Sequence, residues 1–242
     1  MLILSLPVAA SCQTLRIAVA ANAQFVTQAL KKAFEKKNPV NIEIIVSSSG
    51  KLTAQIEHGA PYDLFMSADM KYPETLYKTG QTIGKPRVYA FGKLVLWTMN
   101  TINLDKGIQI LKQPFIKTIA VANPSTAPYG VAATQSMEKE GIFNSVKSKI
   151  VYGESIAQVD GYVLSRVTDI AFTAKSVVES PSLKSKGRWI EVPDNLYSPI
   201  AQGVVVLKYA KANDFKAASA FYSFLFSSQA KAIFESFGYK IK

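Results

Sequence analysis

The sequence predicts an α/β fold divided into two lobes, each a sheet flanked by helices, with two hinge crossings between them. Short apolar strands alternate with amphipathic helices along most of the chain, as in sheets whose strands run parallel. Two extended runs, residues 88–99 and 197–207, are longer than the other predicted strands and suit passages from one lobe to the other. Two amphipathic helices follow the second run, so the chain is expected to end on the lobe where it began.

The two long runs also set the expected lobe boundaries. We assign residues 1–12 to a signal-peptide remnant, residues 13–91 and 205–242 to lobe 1, and residues 92–204 to lobe 2. A chain of 242 residues is long enough for two modest lobes of this kind.

The first twelve residues form a short apolar run that ends in small residues, although they lack a basic start. This pattern resembles the core and cleavage zone of a secretory signal, and it is too short to span a bilayer. We therefore expect an exported, periplasmic protein. Cys12 allows a lipid-anchored alternative, but alanine replaces the leucine that a lipoprotein cleavage box usually carries three residues before its cysteine.

Composition excludes several classes of function. Cys12 and His58 are single representatives of their residue types, so an internal disulfide framework and a multi-cysteine metal site are excluded. The net charge of +11 comes from lysines spread along the chain, which indicates a solvated basic surface or attraction of anions. Zinc-finger, helix-turn-helix and RNA-binding patterns are missing from the sequence, so we expect no nucleic-acid partner.

A serine-rich stretch, residues 46–69, carries the clearest functional signal. A β-branched strand ends at Ser47, and Leu52 and Ile56 then begin a helix, so the natural N-cap of that helix is one of the intervening serines. Hydroxyls and free backbone N–H groups at the positive end of a helix dipole can bind an anion. An ordinary capped helix is the alternative interpretation.

Three further strand-to-helix turns have a similar polar character. Asn22 follows the first strand as an expected N-cap, Tyr129 follows a buried strand at residues 118–122, and Ser155 caps a helix that starts at Ile156. Ligands in open parallel sheets bind beyond the carboxyl ends of the strands. The four turns can therefore share one cleft.

Several segments together resemble the periplasmic molybdate-binding proteins of ABC importers: AVAANAQF, SSSGKLTAQIEHGAPYDLFMSAD, GKLVLW and NPSTAPYG. The likeness extends over residues 15–242 and includes the ending FGYKIK. It implies a type II periplasmic-binding-protein fold that binds molybdate or tungstate between the lobes and delivers it to a membrane permease. It further implies a monomer with no cofactor, no enzymatic activity and no direct ligands to a metal cation, because the metal is bound as its oxyanion.

The resemblance also implies the anion contacts, at Asn22, Ser49, Tyr129 and Ile156. Asn22 and Ser49 would donate from the backbone N–H and the side chain, whereas the other two would donate mainly from the backbone. Ala21 and Ser48 are neighbours that could shape the pocket.

The chain departs from the family pattern at one point. Some members bring a tyrosine hydroxyl to the anion from the strand that matches DIAFTA, where this chain has Ala174 and the nearest aromatic residue is Phe172. A fifth contact is therefore open, and a second donor from Asn22 could replace it.

Other ligands and other functions remain as alternatives. A site of neutral donors without an acceptor disfavours phosphate, which keeps a proton, but the sequence does not separate molybdate from sulfate, thiosulfate or a small organic anion. A sensor or adhesin that uses only the basic surface is a different class. The Ser48–Lys51 and Lys78–Gly80 segments match two motifs of penicillin-binding enzymes, but the third motif is missing and the spacing is wrong.

Overall fold

The structure is a computed structural model that describes residues 14–241. The predicted signal-peptide remnant and Cys12 therefore lie outside the described residues. The described chain forms two five-stranded sheets flanked by helices, which confirms the predicted two-lobed α/β architecture.

The first sheet contains five strands: β1 (Thr14–Ala20), β2 (Asn41–Ser47), β3 (Leu64–Met66), β4 (Thr82–Gly92) and β10 (Ile200–Leu207). Their order across the sheet is β2-β1-β3-β10-β4. Strands β1, β2 and β3 are parallel, and β10 is antiparallel to both of its neighbours. The sheet is therefore mixed, with its parallel half ending at the turns that carry Asn22 and Ser49.

The second sheet also contains five strands: β5 (Leu94–Thr98), β6 (Ile119–Ala122), β7 (Ile150–Gly153), β8 (Ile170–Ala174) and β9 (Arg188–Glu191). Their order is β7-β6-β8-β5-β9, with β6 parallel to β7 and β8, and β5 antiparallel to β8 and β9. The sequence analysis missed β9, a short edge strand whose pairing with β5 is a long-range contact.

Nine helices flank the sheets within the described residues: α1 (Gln24–Glu35), α2 (Ser49–Glu57), α3 (Lys71–Lys78), α4 (Pro128–Lys139), α5 (Phe143–Val146), α6 (Ile156–Leu164), α7 (Lys175–Val178), α8 (Phe215–Phe224) and α9 (Ser228–Ser236). Helices α8 and α9 pack on the first sheet, where Phe221 and Phe234 are fully buried against strand residues such as Val204. We call the first sheet with α1–α3, α8 and α9 the first lobe, and the second sheet with α4–α7 the second lobe.

The chain passes between the lobes twice. Strand β4 ends at Gly92 and β5 begins at Leu94, so Lys93 alone separates the two sheets at the first crossing. The chain returns between β9 and β10, over residues 192–199. The first crossing lies within the extended run at residues 88–99, and the second overlaps the start of the run at residues 197–207.

Candidate anion site

The four predicted turns meet in one cavity between the lobes. The cavity lies beyond the carboxyl ends of β1 and β2 in the first lobe and of β6 and β7 in the second. Its lining includes the four predicted contacts and their two predicted neighbours: Asn22, Ser49, Tyr129, Ile156, Ala21 and Ser48. Ser49, Tyr129 and Ile156 lie in the first turns of α2, α4 and α6. The backbone N–H groups at these helix starts have no partner within their own helices, and such groups can bind an anion.

The cavity is small, its lining residues are buried, and it is uncharged. Its volume is about 10 Å³, counted as space open to the centre of a water-sized sphere, which is about the room that one water molecule needs. Asn22, Ser48, Ser49, Tyr129 and Ile156 are each at most 3% exposed. No acidic or basic side chain is found among the described residues that line it. Such a cavity offers hydrogen-bond donors and no carboxylate acceptor.

Contacts between the lobes close the cavity mouth. The Gly50 backbone N–H donates to the Thr126 carbonyl oxygen at 2.9 Å, and the Tyr72 hydroxyl donates to the Ser125 carbonyl oxygen at 3.3 Å. Lys51 forms an ion pair with Glu154 across the same gap. The structure therefore shows the lobes in a closed arrangement.

Ser48 has a hydroxyl that no other described residue engages. It is the N-cap residue of α2, yet its side chain makes no capping hydrogen bond. Its Oγ is buried and has no hydrogen-bond partner within residues 14–241. A buried hydroxyl without a partner costs free energy. Ser48 lines the cavity, so a ligand bound there can supply the missing partner. The sequence placed Ser48 only as a neighbour, because nothing local distinguishes a capping serine from one that faces a ligand.

Ser49 is held in place by its own contacts. Its Oγ accepts a hydrogen bond from the Ala68 backbone N–H at 3.0 Å, which leaves the hydroxyl proton free. Its carbonyl oxygen accepts from the Thr53 hydroxyl at 2.8 Å. The hydroxyl can therefore donate to a ligand from the first position of α2.

The structure gives Asn22 a different role from the predicted N-cap and side-chain donor. It lies in a 3-10 turn over Ala21–Ala23 and makes no capping bond to α1. Its Nδ2 donates to Gln202 Oε1 at 3.0 Å and to the Tyr239 hydroxyl at 3.3 Å. Both amide hydrogens therefore point away from the cavity, so neither the expected side-chain donor nor the second donor that could replace the family tyrosine is seen. The backbone N–H of Asn22 is the group left for a ligand.

Tyr129 anchors the start of α4. Its hydroxyl accepts a hydrogen bond from Gln202 Nε2 at 3.1 Å. Burial, together with the neighbouring Tyr239 and Tyr197, raises the pKa of this phenol well above its usual value of 10, and the hydrogen bond from Gln202 offsets only part of this effect. The side chain therefore stays neutral and acts as an anchor, while its backbone lines the cavity.

The strand that carries a tyrosine in some family members contributes no hydroxyl from the corresponding position. Ala174 and Phe172 are buried in β8, and neither is among the described residues lining the cavity. Two residues later, the Ser176 hydroxyl donates to the Asn22 carbonyl oxygen at 2.8 Å. Ser176 supports the Asn22 turn across the lobes, whereas the cavity hydroxyl without any partner in the described chain is that of Ser48.

The sequence matches the family described as bacterial extracellular solute-binding protein over residues 15–240. This match spans both lobes and all four turns of the cavity. The chain belongs to the bacterial extracellular solute-binding protein family.

Individual solute-binding proteins give closer matches. The chain is 36% identical to the molybdate-binding protein ModA of Azotobacter vinelandii over 235 residues, covering 97% of this chain and 92% of the relative. It is 34% identical to ModA of Rhodobacter capsulatus over 239 residues, covering 98% and 92%. Its fold matches the structure named Azotobacter vinelandii periplasmic molybdate-binding protein with a TM-score of 0.88 at 33% identity, covering 94% of this chain and 99% of that chain.

The family assignment bears on the other predictions. Solute-binding proteins are not enzymes, so the predicted non-enzymatic role is confirmed. The residues of the penicillin-binding motif have other roles in this solute-binding protein, since Lys51 pairs with Glu154 and Ser48 faces the cavity. Across residues 14–241, the structure contains no helix with the length and apolarity needed to cross a membrane. The same range contains no cluster of three or more His, Cys, Asp or Glu residues suited to a metal ion.

Proposed function

We propose that the protein binds molybdate, and also tungstate, in the closed cavity between its lobes and delivers the anion to the membrane permease of an ABC importer. The observation that carries the proposal is the uncharged cavity between the lobes, lined by buried residues at three helix starts, with the unpartnered Ser48 hydroxyl in its wall. The names of the ModA relatives supply the identity of the anion.

The donor set suits a fully deprotonated tetrahedral dianion. Backbone N–H groups of Asn22, Ser49, Tyr129 and Ile156 and the hydroxyls of Ser48 and Ser49 would share its oxygens. Helix dipoles and several hydrogen bonds can neutralise such an anion without a cationic side chain. Phosphate keeps a proton near neutral pH, and that proton would find no carboxylate acceptor among the lining residues.

The cellular setting follows from the same proposal. A solute-binding protein of an importer works outside the cytoplasmic membrane, in the periplasm or tethered by a lipid, and we propose that this one acts as a monomer. The hinge would consist of Lys93 and residues 192–199, where the chain crosses between the sheets. Rotation about these two crossings would open the mouth now closed by Gly50 and Thr126.

Molybdate and tungstate are expected to raise the melting temperature of the protein strongly, and sulfate and phosphate are not. At a hundredfold excess over Kd, mass action adds about 2.7 kcal/mol of stability, which is roughly 5–10 °C for a chain of this size. Thermal unfolding with each anion in turn measures the effect. A larger shift with sulfate than with molybdate would identify sulfate as the ligand instead. No shift with any anion would favour a function at the basic surface.

Replacing Ser48 by alanine is expected to weaken molybdate binding roughly 10- to 100-fold, the usual cost of losing a hydrogen bond to a charged group. The same change should leave the ligand-free protein equally or more stable, because it removes a buried hydroxyl without a partner. Calorimetric titration and thermal unfolding measure the two effects.

Ser227→Ala is the matched control. Ser227 is the N-cap of α9, and its Oγ accepts from the Ala230 backbone N–H at 3.2 Å, away from the cavity. This variant should lose about 1 kcal/mol of stability and keep its affinity. Unchanged molybdate binding by Ser48→Ala would remove Ser48 from the site.

A further inference from the structure

A buried glutamine connects the two walls of the cavity. Gln202 lies on β10 and is fully buried. Its Oε1 accepts hydrogen bonds from Asn22 Nδ2 at 3.0 Å and from the Tyr89 hydroxyl at 2.6 Å. Its Nε2 donates to the Tyr129 hydroxyl at 3.1 Å. One side-chain amide therefore contacts two of the residues whose backbones line the cavity.

These two residues belong to opposite lobes. Asn22 follows β1 in the first lobe, and Tyr129 lies in the first turn of α4 in the second. Gln202 can hold both because its amide has an acceptor and a donor end. Replacing either end by an apolar group would leave a buried polar partner without a hydrogen bond.

The network lies against the first hinge crossing. Gly92 ends β4 immediately before the crossing at Lys93, and a Cβ atom at this glycine would overlap the Tyr129 hydroxyl and the Gln202 amide. A glycine at this point therefore leaves the space in which the two side chains meet. Atoms close to a hinge move least when lobes rotate, so a hydrogen bond here can act as a fixed pivot.

We propose that Gln202 is a positioning residue that fixes the separation of the two cavity walls and thereby the size of the anion that the closed cleft accepts. This inference rests on the proposed function, since it concerns the same site. Molybdate and sulfate are both tetrahedral dianions and differ mainly in size. Discrimination between them therefore requires a cavity whose walls are held at a set distance, and the lining residues alone do not supply a link across it.

The test compares Gln202→Leu and Tyr129→Phe with the unmodified chain. We expect the molybdate affinity of each variant to fall about tenfold, as for the loss of a buried hydrogen-bond partner, and the sulfate affinity to change by less than about threefold. The ratio of the two affinities should therefore fall. The double variant should bind molybdate no more weakly than the single variant with the lower affinity, because both changes break the same hydrogen bond between Gln202 and Tyr129.

Tyr197→Phe is the matched control. Tyr197 is also a buried tyrosine beside the hinge, and its hydroxyl accepts from the Leu94 backbone N–H and donates to Asp194, both at 3.2 Å. It makes no contact with Asn22 or Tyr129 in the described hydrogen-bond network. We expect this variant to lose stability and to keep the wild-type ratio of molybdate to sulfate affinity.

The outcomes separate the inference from the function on which it rests. Equal losses for both anions, or no loss for either, would overturn the positioning role while leaving molybdate binding intact. Failure of the unmodified chain to bind either anion would overturn both proposals. If Gln202→Leu does not fold, Tyr129→Phe decides the question alone, because it keeps the ring and removes one hydroxyl.

Discussion

Replacing Gly50 by alanine is expected to weaken molybdate binding by about 10- to 100-fold, the range that corresponds to overpacking a tight contact. In the closed structure, a Cβ atom at this position would lie 3.0 Å from Thr126 Cα in the opposite lobe and 2.9 Å from the Tyr72 hydroxyl oxygen. Tyr72 can move aside, but the Thr126 backbone can retreat only if the cleft opens. The substitution should therefore act on closure.

Folding itself should tolerate this substitution. Gly50 lies in the first turn of α2, where alanine has the higher helix propensity. The ligand-free protein should therefore melt at or above the wild-type temperature while its affinity falls. Calorimetry gives the affinity, and small-angle scattering should show a smaller decrease in the radius of gyration at saturating molybdate.

Gly161→Ala provides the control for this experiment. Gly161 lies in α6, and nothing lies within 4 Å of a Cβ atom placed there. The control should gain a little stability and bind molybdate normally. Normal binding by Gly50→Ala as well would show that the contact between Gly50 and Thr126 does not limit closure.

Replacing Asp160 by asparagine is expected to stabilise the protein strongly at alkaline pH and hardly at all at pH 4. Asp160 lies on α6 and is only 4% exposed. Its Oδ1 accepts from the Thr173 hydroxyl at 2.5 Å, and its Oδ2 has no partner in the part of the chain that the structure describes. Burial raises the pKa of this carboxyl from 3.8 to about 7, against the smaller opposing effect of Thr173.

The direction of the pH dependence follows from proton binding. Between pH 4 and 7 the unfolded state loses the Asp160 proton while the folded state keeps it, so stability falls as the pH rises. Above pH 7 the stability falls no further. A pKa raised from 3.8 to about 7 corresponds to a decrease of at most about 4 kcal/mol in the free energy of unfolding. Asparagine carries no such cost and can still accept from Thr173.

Melting temperatures of the two proteins between pH 4 and 9 measure this effect. The variant should melt roughly 5–15 °C higher than wild type at pH 8, and the difference should vanish toward pH 4. Asp105→Asn changes an exposed carboxylate whose side chain hydrogen-bonds only to nearby Asn103 among the described residues, and it should shift the melting temperature little at any pH. A difference for Asp160→Asn that does not vary with pH would contradict the buried-carboxyl explanation.

The sequence by itself determined the architecture and the location of the site. Apolar strands alternating with amphipathic helices are local patterns, and the carboxyl ends of parallel strands share one edge of a sheet. These two facts place the turns at Asn22 and Ser49 at one edge of the first sheet and those at Tyr129 and Ile156 at one edge of the second, and the predicted cleft between two lobes brings the two pairs into one cavity. The two long extended runs likewise indicated the crossings, because their length is visible without knowledge of their partners.

Tertiary structure alone decided which groups at that site are free to bind. Asn22 and Ser48 have similar local sequence signals, yet the amide of Asn22 is occupied by Gln202, 180 residues away, while the Ser48 hydroxyl has no partner within the described chain. The burial of Asp160 is likewise a property of packing against β8. A donor is available to a ligand only when no distant residue accepts its hydrogen bond. Local sequence patterns do not reveal which distant residues pack against that donor.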